Sequence, residues 1–302
     1  MLASLSDSTL KQYNVCYKLW WHFCESNKLD TYEPTKSHIL GFLTEQFNKG
    51  CSHASLNSHR SALSLLLGNS IGNDECVKRL LKGAFKLRPS LPKYTYTWDP
   101  QLVLNHLSKL YPNTELTLEN ITKKLAALLA ICTAQRVQTI SLIKLSNITI
   151  NDDIIRIIIT DIIKTSRPGH EQPILNLPYF HENIKICPAT TLKDYILLTR
   201  HIREDNSGKL LLTFKPPHRP ATTQTISRWV KQVLADSGID ISIFTAHSTR
   251  HAATSAASRA GSNIETIRKA AGWSNTSSTF ARFYHRNIQD DGLFAKSVCL
   301  PT

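Results

Sequence analysis

The stretch from Thr245 to Arg286, TAHSTRHAATSAASRAGSNIETIRKAAGWSNTSSTFARFYHR, constrains this chain more than any other. Thr245 can cap a helix in which His247, Arg250 and His251 fall at i, i+3 and i+4 and so share one face. Ala252, Ala253, Ala256 and Ala257 follow, small side chains that let another backbone or a ligand come close. The helix ends at a turn at Gly261, a second helix leads to Gly272 and Trp273, and the stretch closes on Phe283, Tyr284, His285 and Arg286. An imidazole and a guanidinium fixed side by side grip a phosphate. The guanidinium fork bonds two oxygens at once, and the imidazole donates to the same group or takes a proton.

The rest of the composition is consistent with a nucleic-acid partner. Lys plus Arg number 36 against 23 acids, a formal charge of +13, and a surplus of that size favours a polyanion. With 302 residues the chain suits two domains of roughly 100–200 residues each. The seven cysteines are scattered and contain no Cys-x-x-Cys pair, which fits a reduced intracellular compartment. The N-terminal MLASLSDSTLKQY lacks the apolar core of a secretory leader, and the longest apolar runs fall short of a membrane span.

Residues 1–90 read as a helical domain. Ser8, Thr35 and Ser52 can start amphipathic helices, and a fourth runs from Asp74 to Phe85. The third helix turns Leu56, Leu63, Leu66 and Leu67 inward, with Asn57, His59 and Arg60 outward. Lys78, Lys82 and Lys86 form a stripe on the fourth, with Arg79 alongside, which reads as a solvated face or, taken with the closing motif, as a phosphate-tracking one. Residues 91–98 read as a linker. There Lys93 and the aromatics Tyr94, Tyr96 and Trp98 either rest on a nucleic-acid backbone or pack between domains.

The second domain spans 99–302. Helices are predicted at Asp99–Leu110 and Leu116–Cys132, and Arg136 stands in a short polar break after the second of them. Strands are predicted at Ile154–Thr160, Asp161–Thr165 and Pro173–Leu177, with Lys164 near a turn. Helices follow at Leu192–Ile202 and Thr222–Leu234. Lys215, Arg219, Arg228 and Lys231 give this region a DNA-facing character.

The ordered set His247, Arg250, His251, Gly272-Trp273 and Tyr284 resembles the C-terminal half of the tyrosine recombinases, whose pattern is His-x-x-Arg-His, then Gly-His or Gly-Trp, then a nucleophilic tyrosine. Arg136 matches the family's Arg at the helix junction, and Lys164 its hairpin lysine. Thr139 stands where the family usually has an acid, so support for the site must come from elsewhere. The wording HSTRHAATSAASRAG…AGWSNTSSTFARFYHR, with KTSRPG and YTWDP, is similar to recombinases of eukaryotic mobile elements of Crypton or DIRS type.

The resemblance implies a two-domain DNA clamp that is mostly α with a small antiparallel β-sheet, a helical core-binding domain preceding the catalytic one. Site-specific strand cleavage and exchange through a 3′-phosphotyrosyl link is the implied activity, serving integration or excision of an element, with a nuclear location. Double-stranded DNA and further copies of the chain are the implied partners, and the C-terminal tail packs on its own domain or a neighbouring subunit.

In that scheme Tyr284 attacks a phosphodiester, and Arg136 and Arg250 stabilise charge on the non-bridging oxygens. Lys164 protonates the leaving 5′ oxygen, and His247 bonds the phosphate or accepts the tyrosine proton. His251 stands behind these groups, and Trp273 can donate a hydrogen bond without exchanging a proton. The chemistry requires no metal or other cofactor. Ser248 replaces the glutamate of a zinc-protease helix, and no phosphate loop for ATP is present. A type IB topoisomerase-like relaxing enzyme, and a non-catalytic DNA-binding protein domesticated from an element, are the alternative readings.

Overall fold

The computed structural model describes residues 4–89, 94–169, 171–203 and 208–274, together with Tyr284, Arg286, Ile288 and Cys299. Lys93 and most of the C-terminal tail therefore lie outside the described residues. The chain divides into two units, Met1–Lys93 and Tyr94–Thr302. No described helix is long and apolar enough to cross a membrane.

The first unit holds α1 (Asp7–Asn27), α2 (Lys36–Asn48), α3 (His53–Leu67), the short α4 (Asn69–Asn73) and α5 (Glu75–Leu87). Ser6, Thr35, Ser52 and Asp74 each accept a backbone N–H at the head of α1, α2, α3 and α5. The cap of α1 thus lies two residues before the expected Ser8. Asp74 also meets Lys36 Nζ at 2.8 Å, which ties the head of α5 to that of α2. Trp20, Phe42, Leu43, Leu56 and Leu63 fill the core between these helices.

Two residues expected to face outward do not. His59 is buried with its ring 5.9 Å from Phe42, and Arg60 is half-buried, its Nη1 donating to Gly72 O at 3.3 Å. Arg60 is taken up by α4, which folds back on α3, whereas His59 is covered by Phe42 of α2. Gly72 comes so close that a Cβ would lie 2.7 Å from Ser64 Oγ. Leu66, expected inward, is 37% exposed.

The second unit is arranged on α7 (Leu118–Thr133), which follows α6 (Pro100–Ser108). Every residue of α7 from Lys124 to Ile131 is buried, so this helix is a core element on all its faces. Against it pack α9 (Pro188–Thr199), α10 (Thr223–Asp236) and α11 (Ser248–Arg259), while α8 (Val137–Ser141) and α12 (Ile264–Ala271) complete the helical set. The sheet has antiparallel order β1 (Ile148–Ile150), β2 (Ile154–Ile158), β3 (Ile174–Pro178). Ile155 pairs with Leu177 and Ile157 with Leu175, and these four face the core while their neighbours face out.

Two expectations are corrected here. Asp161–Thr165 is not a strand but part of the β2–β3 connection: Asp161 meets Lys144 Nζ at 2.9 Å, and Ile163 turns into the core while Ile162 stays exposed. The sheet's remaining strand is Ile148–Ile150 instead. The linker also ends earlier than residue 98. Tyr94 and Trp98 are 4% and 5% exposed and pack with Val103, Leu107 and Phe244 in the second unit's core. Large aromatic rings gain more from burial there than an exposed linker allows.

Lys124 lies fully inside this unit, its Nζ donating to Leu110 O at 2.6 Å and to Asn113 Oδ1 at 2.8 Å. Asn113 in turn donates to Asp194 Oδ2 at 2.8 Å. Burial pushes the ammonium down to about 8, with Asp194 opposing the shift. A lysine whose folded value lies below its unfolded value weighs against the fold while it is charged there. That cost lifts as pH rises from the folded value of about 8 toward the unfolded value. Denaturant titrations should therefore show wild type gaining stability relative to Lys124→Met between pH ~8 and ~10. A difference that stays flat over that window would contradict the burial of a charged ammonium.

Candidate active site

The expected site residues of the closing motif, His247, Arg250, His251, Trp273 and Tyr284, meet in the second unit. The helix bearing the first of them begins later than the sequence suggests. Thr245 does not cap it; His247 is the residue before Ser248, with φ −68° and ψ −24°, and no side chain caps the helix. Thr245 instead directs its hydroxyl toward Tyr94. The helical spacing of His247, Arg250 and His251 grades from surface to interior: His247 is exposed, His251 is 8% exposed and Arg250 is 1% exposed.

Arg250 is held by two helix ends. Its Nη1 donates to Ala134 O at 2.9 Å and its Nη2 to Ala271 O at 2.5 Å. Ala134 is the left-handed residue ending α7, and Ala271 is the last residue of α12. These are carbonyls that a helix leaves without an intrahelical partner, at the negative end of its dipole, so a buried cation satisfies them. Gln135 completes the junction, donating to Ala270 O at 2.6 Å. Gly272 then takes a left-handed turn, φ 64°, that carries Trp273 back over the guanidinium, whose carbon lies 4.7 Å from the indole centroid.

Tyr284 sits on this cluster, 9% exposed. Its hydroxyl lies 3.0 Å from His247 Nε2. Its ring stacks on His251 with centroids 4.1 Å apart and meets Trp273 at 4.7 Å, while the Arg250 guanidinium carbon is 5.5 Å from its centroid. Ser255 Oγ donates to Tyr284 O at 2.5 Å and accepts from Arg286 N at 3.0 Å, so α11 docks this segment through its backbone. Burial, then the nearby positive Arg136, push Arg250 down to about 10, while Tyr284 opposes the shift. The guanidinium is thus charged at neutral pH.

The other expected residues are distributed as follows. Arg136 is half-buried at the head of α8, and its charge reaches Arg250. Thr139 is buried in α8. Lys164 is exposed in the β2–β3 connection, and no hydrogen bond or ion pair joins it to the described site residues. Lys78, Arg79, Lys82 and Lys86 are exposed on α5, with Lys78 meeting Glu75 at 2.9 Å. Lys215, Arg219 and Arg228 are exposed and Lys231 half-buried, the last two on α10. Arg60 is occupied with Gly72, and Lys93 lies outside the described residues.

Gln135 and Ser255 were not legible as site residues. Ser255 had a signal, since 247, 251 and 255 recur every four residues on one helical face. Gln135 had only its place beside Arg136.

The bridge through Arg250 has a measurable cost. Arg250→Lys keeps a charge but cannot reach both helix ends, and at least one buried carbonyl loses its partner. The unfolding free energy should fall by about 1–3 kcal/mol in denaturant titration. Unchanged stability would contradict the bridge.

The sequence from 101 to 290, more than half of the chain, matches the phage integrase family. No functionally curated protein matches it significantly. Among solved structures the fold is similar to the XerH site-specific recombinase bound to palindromic difH substrate, with TM-score 0.62 and 17% identity over 93% of this chain and 78% of that one. It is also similar to the Tn1549 transposon integrase in complex with transposon right end DNA, with TM-score 0.60 and 15% identity over 96% and 93%. A lambda integrase dimer bound to a COC′ core site gives TM-score 0.56 and 17% identity over 94% and 73%. These likenesses concern the fold, whereas the sequence match covers the stretch that carries Arg136, His247, Arg250 and Tyr284: the chain belongs to the phage integrase family, the tyrosine recombinases.

Proposed function

We propose that this chain cleaves and rejoins DNA at specific sites through a 3′-phosphotyrosyl link, with Tyr284 as nucleophile. The observation that carries the reading is the 3.0 Å approach of His247 Nε2 to the Tyr284 hydroxyl beside a buried, charged Arg250. A phenol is a weak nucleophile until its proton leaves, and a neutral imidazole at hydrogen-bond distance can take it.

The step balances without a cofactor. The Tyr284 oxygen forms a bond to phosphorus while the bond from phosphorus to the 5′ oxygen breaks. The phenol proton passes to His247, and the departing oxygen takes a proton from Lys164. Arg136 and Arg250 supply positive charge where the non-bridging oxygens gain negative charge, and their fixed positions need no reorganisation. Attack by a 5′ hydroxyl reverses every bond change, so a strand from another duplex can be joined with no net loss of phosphodiester bonds. Trp273 covers Arg250 and can donate one hydrogen bond.

Duplex DNA is the substrate and second copies of the chain are the partners, since strand exchange needs a cut in each participating strand. The +13 charge and the exposed basic residues of α5 support that reading. The resemblance of the closing motif to Crypton and DIRS recombinases supports integration or excision of a mobile element, with action in a nucleus.

On a nicked suicide duplex, Tyr284→Phe should abolish the covalent protein–DNA adduct seen on denaturing gels while duplex binding persists. Adducts formed by Tyr284→Phe would show that another group attacks.

A further inference from the structure

Tyr94 and Trp98 lie in the core of the second unit, yet both carry polar atoms there. Those atoms are arranged in a way that packing alone does not require. The Tyr94 hydroxyl and Thr245 Oγ1 are 2.8 Å apart, and Thr245 N donates to the same hydroxyl at 3.4 Å. Trp98 Nε1 donates to Ser248 Oγ at 2.9 Å, and Ser248 Oγ donates onward to Thr245 O at 2.7 Å. His247 lies between the two anchored positions. The segment Tyr94–Trp98 also reaches Tyr284. The Tyr94 ring meets His251 edge-on at 5.0 Å, and His251 stacks on Tyr284. Thr97 forms a parallel β-bridge with Ile288, four residues past Tyr284.

The head of α11 needs such support. No side chain caps it, and its first backbone bonds, from Ser248 N to Thr245 O, Thr249 N to Ala246 O and Arg250 N to His247 O, span three residues rather than four. A helix start of that kind is loosely specified by its own chain. His247 is exposed and sits at this start, so its direction depends on what holds Thr245 and Ser248 as well as on its own contacts with Tyr284 and His251.

We propose that Tyr94 and Trp98 are positioning residues for strand cleavage: they clasp the backbone on both sides of His247 and, with Thr97, the chain beyond Tyr284, and so set the approach of the imidazole to the phenol. This inference rests on the assignment of Tyr284 and His247 given above. Neither Tyr94 nor Trp98 touches the reacting atoms. A change of about 1 Å in the relative placement of reacting groups can cost about 10²-fold in rate.

The test is single-turnover adduct formation on the suicide duplex, measured across DNA concentrations for wild type, Tyr94→Phe, Thr245→Val, the double variant and Ser248→Ala. Tyr94→Phe keeps the buried ring and removes only the hydroxyl. The account expects each single variant to lower the rate at saturating DNA by about 10- to 100-fold. The half-saturating DNA concentration and the melting temperature should stay near wild type. Because Tyr94→Phe already removes both hydrogen bonds between Tyr94 and Thr245, the double variant should be no slower than Tyr94→Phe alone.

Wild-type rates in both Tyr94→Phe and Ser248→Ala would overturn the clasp and leave Tyr284 as nucleophile. Rate losses matched by an equal loss of DNA affinity or of folded protein would also overturn it, as a purely structural role gives that result. Tyr284→Phe runs alongside: adducts from that variant would reject the underlying reading instead, so the two failures are distinguishable.

Discussion

One buried guanidinium organises the catalytic half of this protein. Arg250 is 1% exposed, and removing a cation from water is costly unless polar partners replace the solvent. Here the partners are the carbonyls that end α7 and α12, which those helices cannot satisfy themselves. Two aromatic rings, of Trp273 and Tyr284, cover the charge. The arrangement serves both sides: the helix ends gain a donor, and the cation gains oriented dipoles.

The same bond pattern explains why sequence-distant residues converge. Arg136 follows Ala134 by two positions, and Trp273 follows Ala271 by two. Fixing those carbonyls to Arg250 therefore brings both residues to the helix that carries His247. Tyr284 is added by its ring stack on His251 and by the backbone hydrogen bonds of Ser255. The result is graded in depth, with the Arg250 guanidinium inside and the His247 imidazole at the surface. In the proposed cleavage, a low-dielectric setting would strengthen the field of that fixed charge at the reacting phosphorus, and the exposed imidazole would stay accessible to a duplex.

Local chemistry was largely legible in the sequence. Caps at Thr35, Ser52 and Asp74 mark helix starts where their side chains accept the expected backbone donors. The alternation around Ile155 and Ile157 gives a half-buried strand. The spacing of His247, Arg250 and His251 puts them on one helical face, and the order Arg136 to Tyr284 led to the right family. What escaped depended on packing between distant segments. Thr245 looks like a cap until Tyr94 claims its hydroxyl, and Tyr94 to Trp98 look like a linker until a core is there to receive them. Asp161–Thr165 has β-branched composition, but the ion pair to Lys144 and the inward turn of Ile163 take it out of the sheet. His59 and Arg60 read as outward because helical periodicity says nothing of Phe42 on α2 covering the first or of α4 folding back to take up the second.

The central claim is that one phenol, held between His247 and Arg250, attacks the DNA. Its most direct measurement is peptide mapping of the trapped adduct. Protein captured on a suicide duplex is digested with a protease and a nuclease, and the residue that carries the nucleotide remnant is located by mass spectrometry. The account predicts a single modified residue, Tyr284, linked to the 3′ phosphate. A remnant on any other residue, or a linkage to a 5′ phosphate, would contradict it.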